Sequence, residues 1–143
     1  MLIGGTIGAF DLLHVGHLRF LQACRARCDY LKVGVGADQT ILNSKKRVPV
    51  IEQVLRLELV AGLACVDAVK LFDVGLDHTD AAAAWLAGWP VQVVFASEEW
   101  RPSPRWRNLE PALQNRGLAV IWLPYTEGIS TSQIKERISR PPG

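Results

Sequence analysis

The chain has little of what marks several large classes of protein. Cysteine occurs three times, at Cys24, Cys28 and Cys65, an odd number at spacings that make neither a disulfide framework nor a zinc-finger pair. Histidine is as scarce, with His14, His17 and His78, so a zinc ion held by the first two would find little to complete its shell. No metal site is expected from protein side chains. No stretch approaches the ~20 apolar residues of a membrane span. The opening Met1-Leu2-Ile3-Gly4-Gly5 lacks the basic segment of a secretory signal, which leaves the cytoplasm as the expected location. An excess of one charge is also missing. Sixteen Lys and Arg against 14 Asp and Glu leave a net +2, too little to argue for a nucleic acid or a membrane surface as partner. Several phosphate and acyl-transfer motifs fail as well. Gly34-Val35-Gly36 lacks the third glycine of a dinucleotide fingerprint, Gly4 to Gly8 lacks the Gly-Lys-Ser/Thr of a P-loop, and no Gly-x-Ser-x-Gly elbow occurs.

What is present begins with size. A chain of 143 residues, 49% of them apolar, makes one domain with a real core. The expected bounds are 1–139, with a frayed tail over 140–143. Strand-like and helix-like segments alternate along it. Leu2 to Ile7 reads as a strand, then a helix from about Gly16 to Cys28, and a strand over Leu31 to Ala37. Asp38 to Pro49 reads as a loop carrying Asn43-Ser44-Lys45-Lys46-Arg47. A long apolar helix follows from Ile51 to about Ala64, with Glu52 and Arg56 spaced for an i,i+4 pair. Ala68 to Phe72 is a strand. Thr79-Asp80 caps an alanine-rich helix to Ala87, stopped by Gly88 and Pro90. Val91 to Ala96, a helix over Arg107 to Arg116, and Leu118 to Leu123 complete the series. Strands separated by helices of this length imply right-handed crossovers, hence a Rossmann-like, doubly wound, five-stranded parallel sheet of the α/β class. Ligands of such sheets bind beyond the carboxyl ends of the strands.

Two motifs fall on that edge. The first is Gly8-Ala9-Phe10-Asp11-Leu12-Leu13-His14-Val15-Gly16-His17. A helix start exposes backbone N–H groups and the positive end of the helix dipole, which suits an anion. Gly16 allows close approach to the backbone, and two imidazoles add donors that a plain anion hole lacks. The set fits a phosphate undergoing reaction. The second is Thr126-Glu127-Gly128-Ile129-Ser130-Thr131-Ser132, where hydroxyls cap a short helix bearing Ile134 and Ile138. Simple capping would explain that segment without a ligand. Read from the residues alone, Lys45-Lys46-Arg47 is as much a solvated basic turn as a phosphate grip.

With these residues in view, the chain resembles the cytidylyltransferase-like nucleotidyltransferases, and among them the bacterial glycerol-3-phosphate cytidylyltransferases. The first motif looks like that family's GTFDxxHxGH and the second like its RTEGISTT. Arg56 stands before Val66-Asp67-Ala68-Val69 as a family arginine does, and Ser97-Glu98-Glu99-Trp100 is similar to a shifted GDDW. The resemblance implies transfer of CMP from CTP to a small phosphorylated acceptor (a glycerol-3-phosphate-like polyol, a sugar or an amino-alcohol phosphate), with release of pyrophosphate. ATP with a sugar phosphate, and a nucleotide-binding module without transfer activity, stay open beside it. It further implies a homodimer, with Mg²⁺ accompanying the triphosphate as cofactor. A helix apolar on more than one face, with Leu55, Leu57, Leu59, Val60 and Leu63, accords with the dimer.

On this likeness His14, His17 and Lys46 are the catalytic residues. Gly8, Ala9, Phe10, Gly16, Arg56, Glu99, Trp100, Thr126, Gly128, Ile129, Ser130 and Thr131 hold the nucleotide, and Asp11, Arg101 and Arg105 hold the acceptor. Three departures stand out. Ala9 replaces a threonine, Tyr125 replaces an arginine that would meet the triphosphate, and Ala96-Ser97-Glu98-Glu99 lacks the Gly-Asp-Asp. The expectation is that Arg101, Arg105 or Arg107 makes up the missing charge.

Overall fold

The computed structural model describes residues 1–124 and 128–140. Its elements are β1 (Ile3–Gly8), α1 (Val15–Arg25), β2 (Tyr30–Gly36), α2 (Asp38–Lys45), α3 (Gln53–Ala61), β3 (Ala68–Phe72), α4 (Thr79–Ala87), β4 (Val93–Ser97), α5 (Pro104–Asn115), β5 (Ala119–Leu123) and α6 (Thr131–Ser139), with a single 3₁₀ turn at Glu98–Trp100. The five strands form one sheet in the order β3-β2-β1-β4-β5, and every pairing is parallel. The α/β class and doubly wound sheet expected from the alternation are what the structure shows. The order reverses between β1 and β4, which makes the carboxyl ends of those two strands the switch point where ligands bind.

Side chains alternate across the sheet with the period of two that strands impose. Along β4, Val94 and Ala96 join a core with Leu86, Trp106, Leu109 and Leu113 from α4 and α5. Val93 and Phe95 join the opposite core with Leu21, Cys24 and Val60 from α1 and α3. Both faces of the sheet are thus covered. Gly4 of β1 has a packing reason, because the Phe95 ring fills the space its Cβ would need. The three cysteines are free thiols, and no helix among the described residues is long and apolar enough to cross a membrane.

Two elements differ from the sequence reading. The stretch expected as a loop over Asp38 to Pro49 begins with two turns of helix, α2. No side chain of its own caps it, so the local signal was absent. The cap is tertiary: the Asp38 N–H donates to Gln53 Oε1 (2.9 Å), and the Gln53 N–H donates back to Asp38 Oδ2 (3.1 Å). The next helix is shorter than Ile51 to Ala64: the extended Glu52 is its N-cap and Gly62 its C-cap, and ahead of it Val50 and Ile51 give their backbone N–H groups to Asp11. Its outward face leaves Val54, Leu55 and Leu59 exposed.

Candidate active site

The β1–α1 connection is built under constraint. Phe10 and Leu12 both adopt the left-handed region, with φ of 51° and 50°, a conformation that costs a non-glycine residue free energy and persists only where the surroundings hold it. Phe10 is buried, its ring lying 5.5 Å from that of His17. A Cβ on Gly8 would stand 2.9 Å from the Phe10 ring, so the glycine admits the turned-in phenyl. The loop then delivers His14 to the N-cap of α1 in an extended conformation.

The two histidines cap that helix reciprocally. Gly16 N–H donates to His14 Nδ1 (3.0 Å) and His14 N–H donates to His17 Nδ1 (3.2 Å). Since both Nδ1 atoms accept, the single proton of each neutral ring belongs on Nε2. Burial lowers the pKa of His14. Burial, and then repulsion from His14, pull that of His17 down to about 4 against a smaller opposing pull from Asp11. At neutral pH both rings are therefore uncharged, stacked with centroids 3.9 Å apart; both line the cleft, and among the described residues neither Nε2–H has a hydrogen-bond partner. Backbone donors expected to face an anion are partly satisfied by the imidazoles, so the donor function moves to the far side of the rings. Gly16 proves necessary for the stack as well, because a Cβ there would come within 2.8 Å of the His14 ring.

A cleft of about 450 Å³ opens over these rings at the switch point. Gly8, Ala9, Phe10, Asp11, His14, Gly16, His17, Glu99, Trp100, Gly128, Ile129, Ser130 and Thr131 all line it. The structure thus gathers most of the residues singled out from the sequence. Thr126 and Tyr125 lie outside the described residues. Gly128 turns with φ of 83° and leads into α6, where Ser130 caps by accepting from Gln133 N–H (3.1 Å). Trp100 forms an aromatic wall, tilted against Phe20 at 5.9 Å and stacked on Trp106 at 6.2 Å.

Several placements correct the expectations. Arg56 does not line the cleft and does not pair with Glu52. Its fully buried guanidinium donates to Ile51 O (2.7 Å), Ala9 O (2.7 Å) and Asp38 Oδ1 (2.6 Å). It ties the β1–α1 loop to the starts of α2 and α3. Asp11 lines the cleft, but its carboxylate accepts from Val50 N–H (2.8 Å) and Ile51 N–H (2.9 Å), which makes it a brace rather than a free acceptor contact. Lys46 takes the left-handed C-cap of α2, and its Nζ donates to Asn43 O (3.0 Å). Lys45 lines the cleft instead. Arg101 stacks on Trp122 at 5.2 Å, outside the cleft lining, as is Arg105.

Among the described residues the cations lining the cleft are Lys45, Arg47 and Lys135. Burial depresses the Lys45 pKa, and the neighbouring charges of Arg105, Arg47 and Lys135 add to that. The family likeness favours a phosphate contact from this segment without deciding between Lys45 and Lys46; the helix separates them. In the helix Lys45 follows Ile41 at i,i+4, so it lies on the side that borders the cleft while staying exposed to solvent. Lys135, four residues after Thr131, carries the same signal. Ser97 and Phe20 also line the cleft. Among the described residues no three His, Cys, Asp or Glu side chains gather to hold a metal ion. With both Asp11 oxygens engaged, a Mg²⁺ arriving with a triphosphate would take its oxygen ligands chiefly from phosphate and water.

The fold and cleft define a nucleotidyltransferase-type α/β domain, and comparison with known proteins agrees. The chain belongs to the Cytidylyltransferase-like family, whose model matches residues 6–137. It is 47% identical over 135 residues to the bifunctional protein HldE of Citrifermentans bemidjiense, covering 93% of this chain and 26% of that one. It is 33% identical over 136 residues to the HldE of Hyphomonas neptunium, covering 94% and 26%. The chain spans about a quarter of the length of these relatives. Among solved structures, a lipopolysaccharide core biosynthesis protein from Thermoplasma volcanium superposes with a TM-score of 0.68 at 21% identity, covering 88% of this chain and 97% of that one. Thermotoga maritima TmcAL, bound with alpha-thio ATP, superposes with a TM-score of 0.68 at 14% identity, covering 96% and 50%. At these identities the two structures bear on the fold.

Proposed function

We propose that the protein transfers a nucleotidyl group from a nucleoside triphosphate to a small phosphorylated acceptor. An oxygen of the acceptor phosphate attacks the α-phosphorus, the bond from that phosphorus to the bridging oxygen breaks, and pyrophosphate leaves with the electron pair. The attacking oxygen is already anionic, so no general base is needed, and positioning with charge stabilisation carries the catalysis. The observation that supports this reading best is the neutral, stacked His14–His17 pair, with both Nδ1 atoms engaged in the cap and both Nε2–H donors left over. Such donors strengthen as charge builds on the α-phosphate oxygens, which favours the transition state over the ground state. Lys45 and Arg47 face the phosphates from one wall and the α6 start from another. The Trp100 wall suits a stacked base. Mg²⁺ bound to the triphosphate supplies charge neutralisation.

Two nucleotides are in question. The motif likeness to glycerol-3-phosphate cytidylyltransferases points to CTP and a polyol phosphate, whereas the match to HldE proteins over nearly the whole chain favours ATP and a sugar phosphate. We take the second as the leading reading. The test is pyrophosphate release with each of the four ribonucleoside triphosphates against a panel of phosphorylated sugars and polyols. Release with ATP and a sugar phosphate is expected. Release with CTP alone would restore the cytidylyl reading, and nucleotide binding without release from any pair would make the chain a binding module.

A further inference from the structure

Strand β4 ends at the cleft in Ser97. The residue is 3% exposed and lines the cleft, yet its Oγ has no hydrogen-bond partner among the described residues. A buried hydroxyl so placed gives up its bonds to water without compensation, and buried polar groups ordinarily find a partner. The neighbouring strand shows the ordinary outcome, where the fully buried Thr6 donates to Phe95 O (2.9 Å). The other unpartnered hydroxyl among the described residues, that of Ser44, lines a separate cavity beyond β3. Alternation along β4 puts Ser97 on the face of Val93 and Phe95, the side covered by α1. From α1 come His17 and Phe20, which line the same cleft. Three residues past Ser97 stands the Trp100 wall, while Arg101, Arg105 and Arg107 stay out of the lining. A nucleotide with its α-phosphate at the imidazoles and its base on Trp100 brings its ribose over the end of β4. Ribose offers neutral hydroxyls, which match a serine that both donates and accepts, whereas phosphate oxygens favour charged donors.

We propose that Ser97 Oγ hydrogen-bonds a ribose hydroxyl of the bound nucleotide and makes this chain prefer ribonucleotides to deoxyribonucleotides. Rotation about the single χ1 bond turns the hydroxyl toward the sugar, and the bond then formed supplies the partner that its neighbours in the fold do not. The contact belongs to this chain's own sequence, because the GDDW segment that Ser97-Glu98-Glu99-Trp100 resembles begins with a glycine, which has no hydroxyl to give. The inference rests on the nucleotidyl-transfer reading, and the test separates the two. ATP, AMP, 2′-deoxy-ATP and 3′-deoxy-ATP are titrated into the full chain by calorimetry, without acceptor, for the parent and for Ser97→Ala. The cytidine series replaces them if the parent binds CTP and not ATP. The melting temperature of both proteins without nucleotide is measured alongside.

Losing one neutral hydrogen bond should weaken ATP and AMP alike, by about 3–10-fold, since both carry the ribose. In the parent, one of the two deoxynucleotides should bind more weakly than ATP by the same factor, and Ser97→Ala should bind that one no worse than the parent does. Without nucleotide, Ser97→Ala should melt no lower than the parent, because the hydroxyl it removes has no bond within the fold to lose. Unchanged ATP affinity in Ser97→Ala overturns the proposal. So does a loss for ATP without one for AMP, which would place the hydroxyl on the outer phosphates. A further loss for both deoxynucleotides, equal to that for ATP, would place it away from the sugar and overturns it too. A lower melting temperature together with weaker binding of every nucleotide would mean that Ser97 only supports the strand end, and the proposal fails. A parent chain that binds neither ATP nor CTP refutes the nucleotidyl-transfer reading itself, and this inference with it.

Discussion

Replacing Arg56 by alanine distinguishes a ligand contact from a structural post. The side chain is fully buried, and its three donor groups reach Ile51 O, Ala9 O and Asp38 Oδ1 at 2.6–2.7 Å. Alanine would leave two carbonyl oxygens without their partner, remove the charge facing Asp38, and open a cavity beside Val60. Breaking a buried ion pair from one side costs about 3–5 kcal/mol, a large part of the roughly 5–15 kcal/mol that holds a domain of this kind together. For a chain of this length such a loss lowers the melting temperature by roughly 10–15 °C. Differential scanning calorimetry of Arg56→Ala measures it directly. Asp38→Ala should cost a comparable amount, because it leaves the fully buried Arg56 guanidinium without its counter-charge. Glu52→Ala should change the midpoint by no more than about 2 °C, since its side chain makes no cap hydrogen bond and, among the described residues, no ion pair. An Arg56→Ala protein that melts within about 3 °C of the parent, yet binds triphosphate weakly, would refute the buried-post account and return Arg56 to the phosphates.

The histidine pair yields kinetic and pH predictions. His14→Ala and His17→Ala should each lower turnover by about 10²–10³, with much smaller changes in nucleotide affinity; equal losses in both would mean the pair only holds ground-state phosphate. Because the folded-state pKa of His17 is depressed to about 4, below the unfolded value near 6.5, its contribution to stability is fully present above pH 6.5. It is lost as pH falls through that window toward 4. Urea midpoints measured from pH 8 to pH 4 should therefore decline in the parent and decline less in His17→Gln, and identical profiles would contradict the buried neutral ring. The exposed Val54, Leu55 and Leu59 are expected to meet a second copy in a homodimer, which light scattering at micromolar concentration would show and a monomeric mass would exclude.

Much of this protein is determined locally and can be read from the chain. The strands and most helices follow from apolar periodicity, and their alternation admits few arrangements besides a parallel, doubly wound sheet. The His-x-Gly-His and Gly-Ile-Ser-Thr segments lie at strand ends, so the sheet's own geometry brings them to one edge. What escaped the sequence is what depends on partners distant along the chain. Helix α2 lacks a cap of its own and forms where Gln53 provides one fifteen residues away, and that helix decides that Lys45 rather than Lys46 enters the cleft. A charged residue looks the same in sequence whether it meets a ligand or a backbone carbonyl. Only the packed structure shows Arg56 and Asp11 turned inward, because burying a charge requires several partners at once, and here those partners come from three separate segments. The tautomers of His14 and His17 belong to the same class, set by two hydrogen bonds that exist only once the strained loop and the helix start have closed on each other.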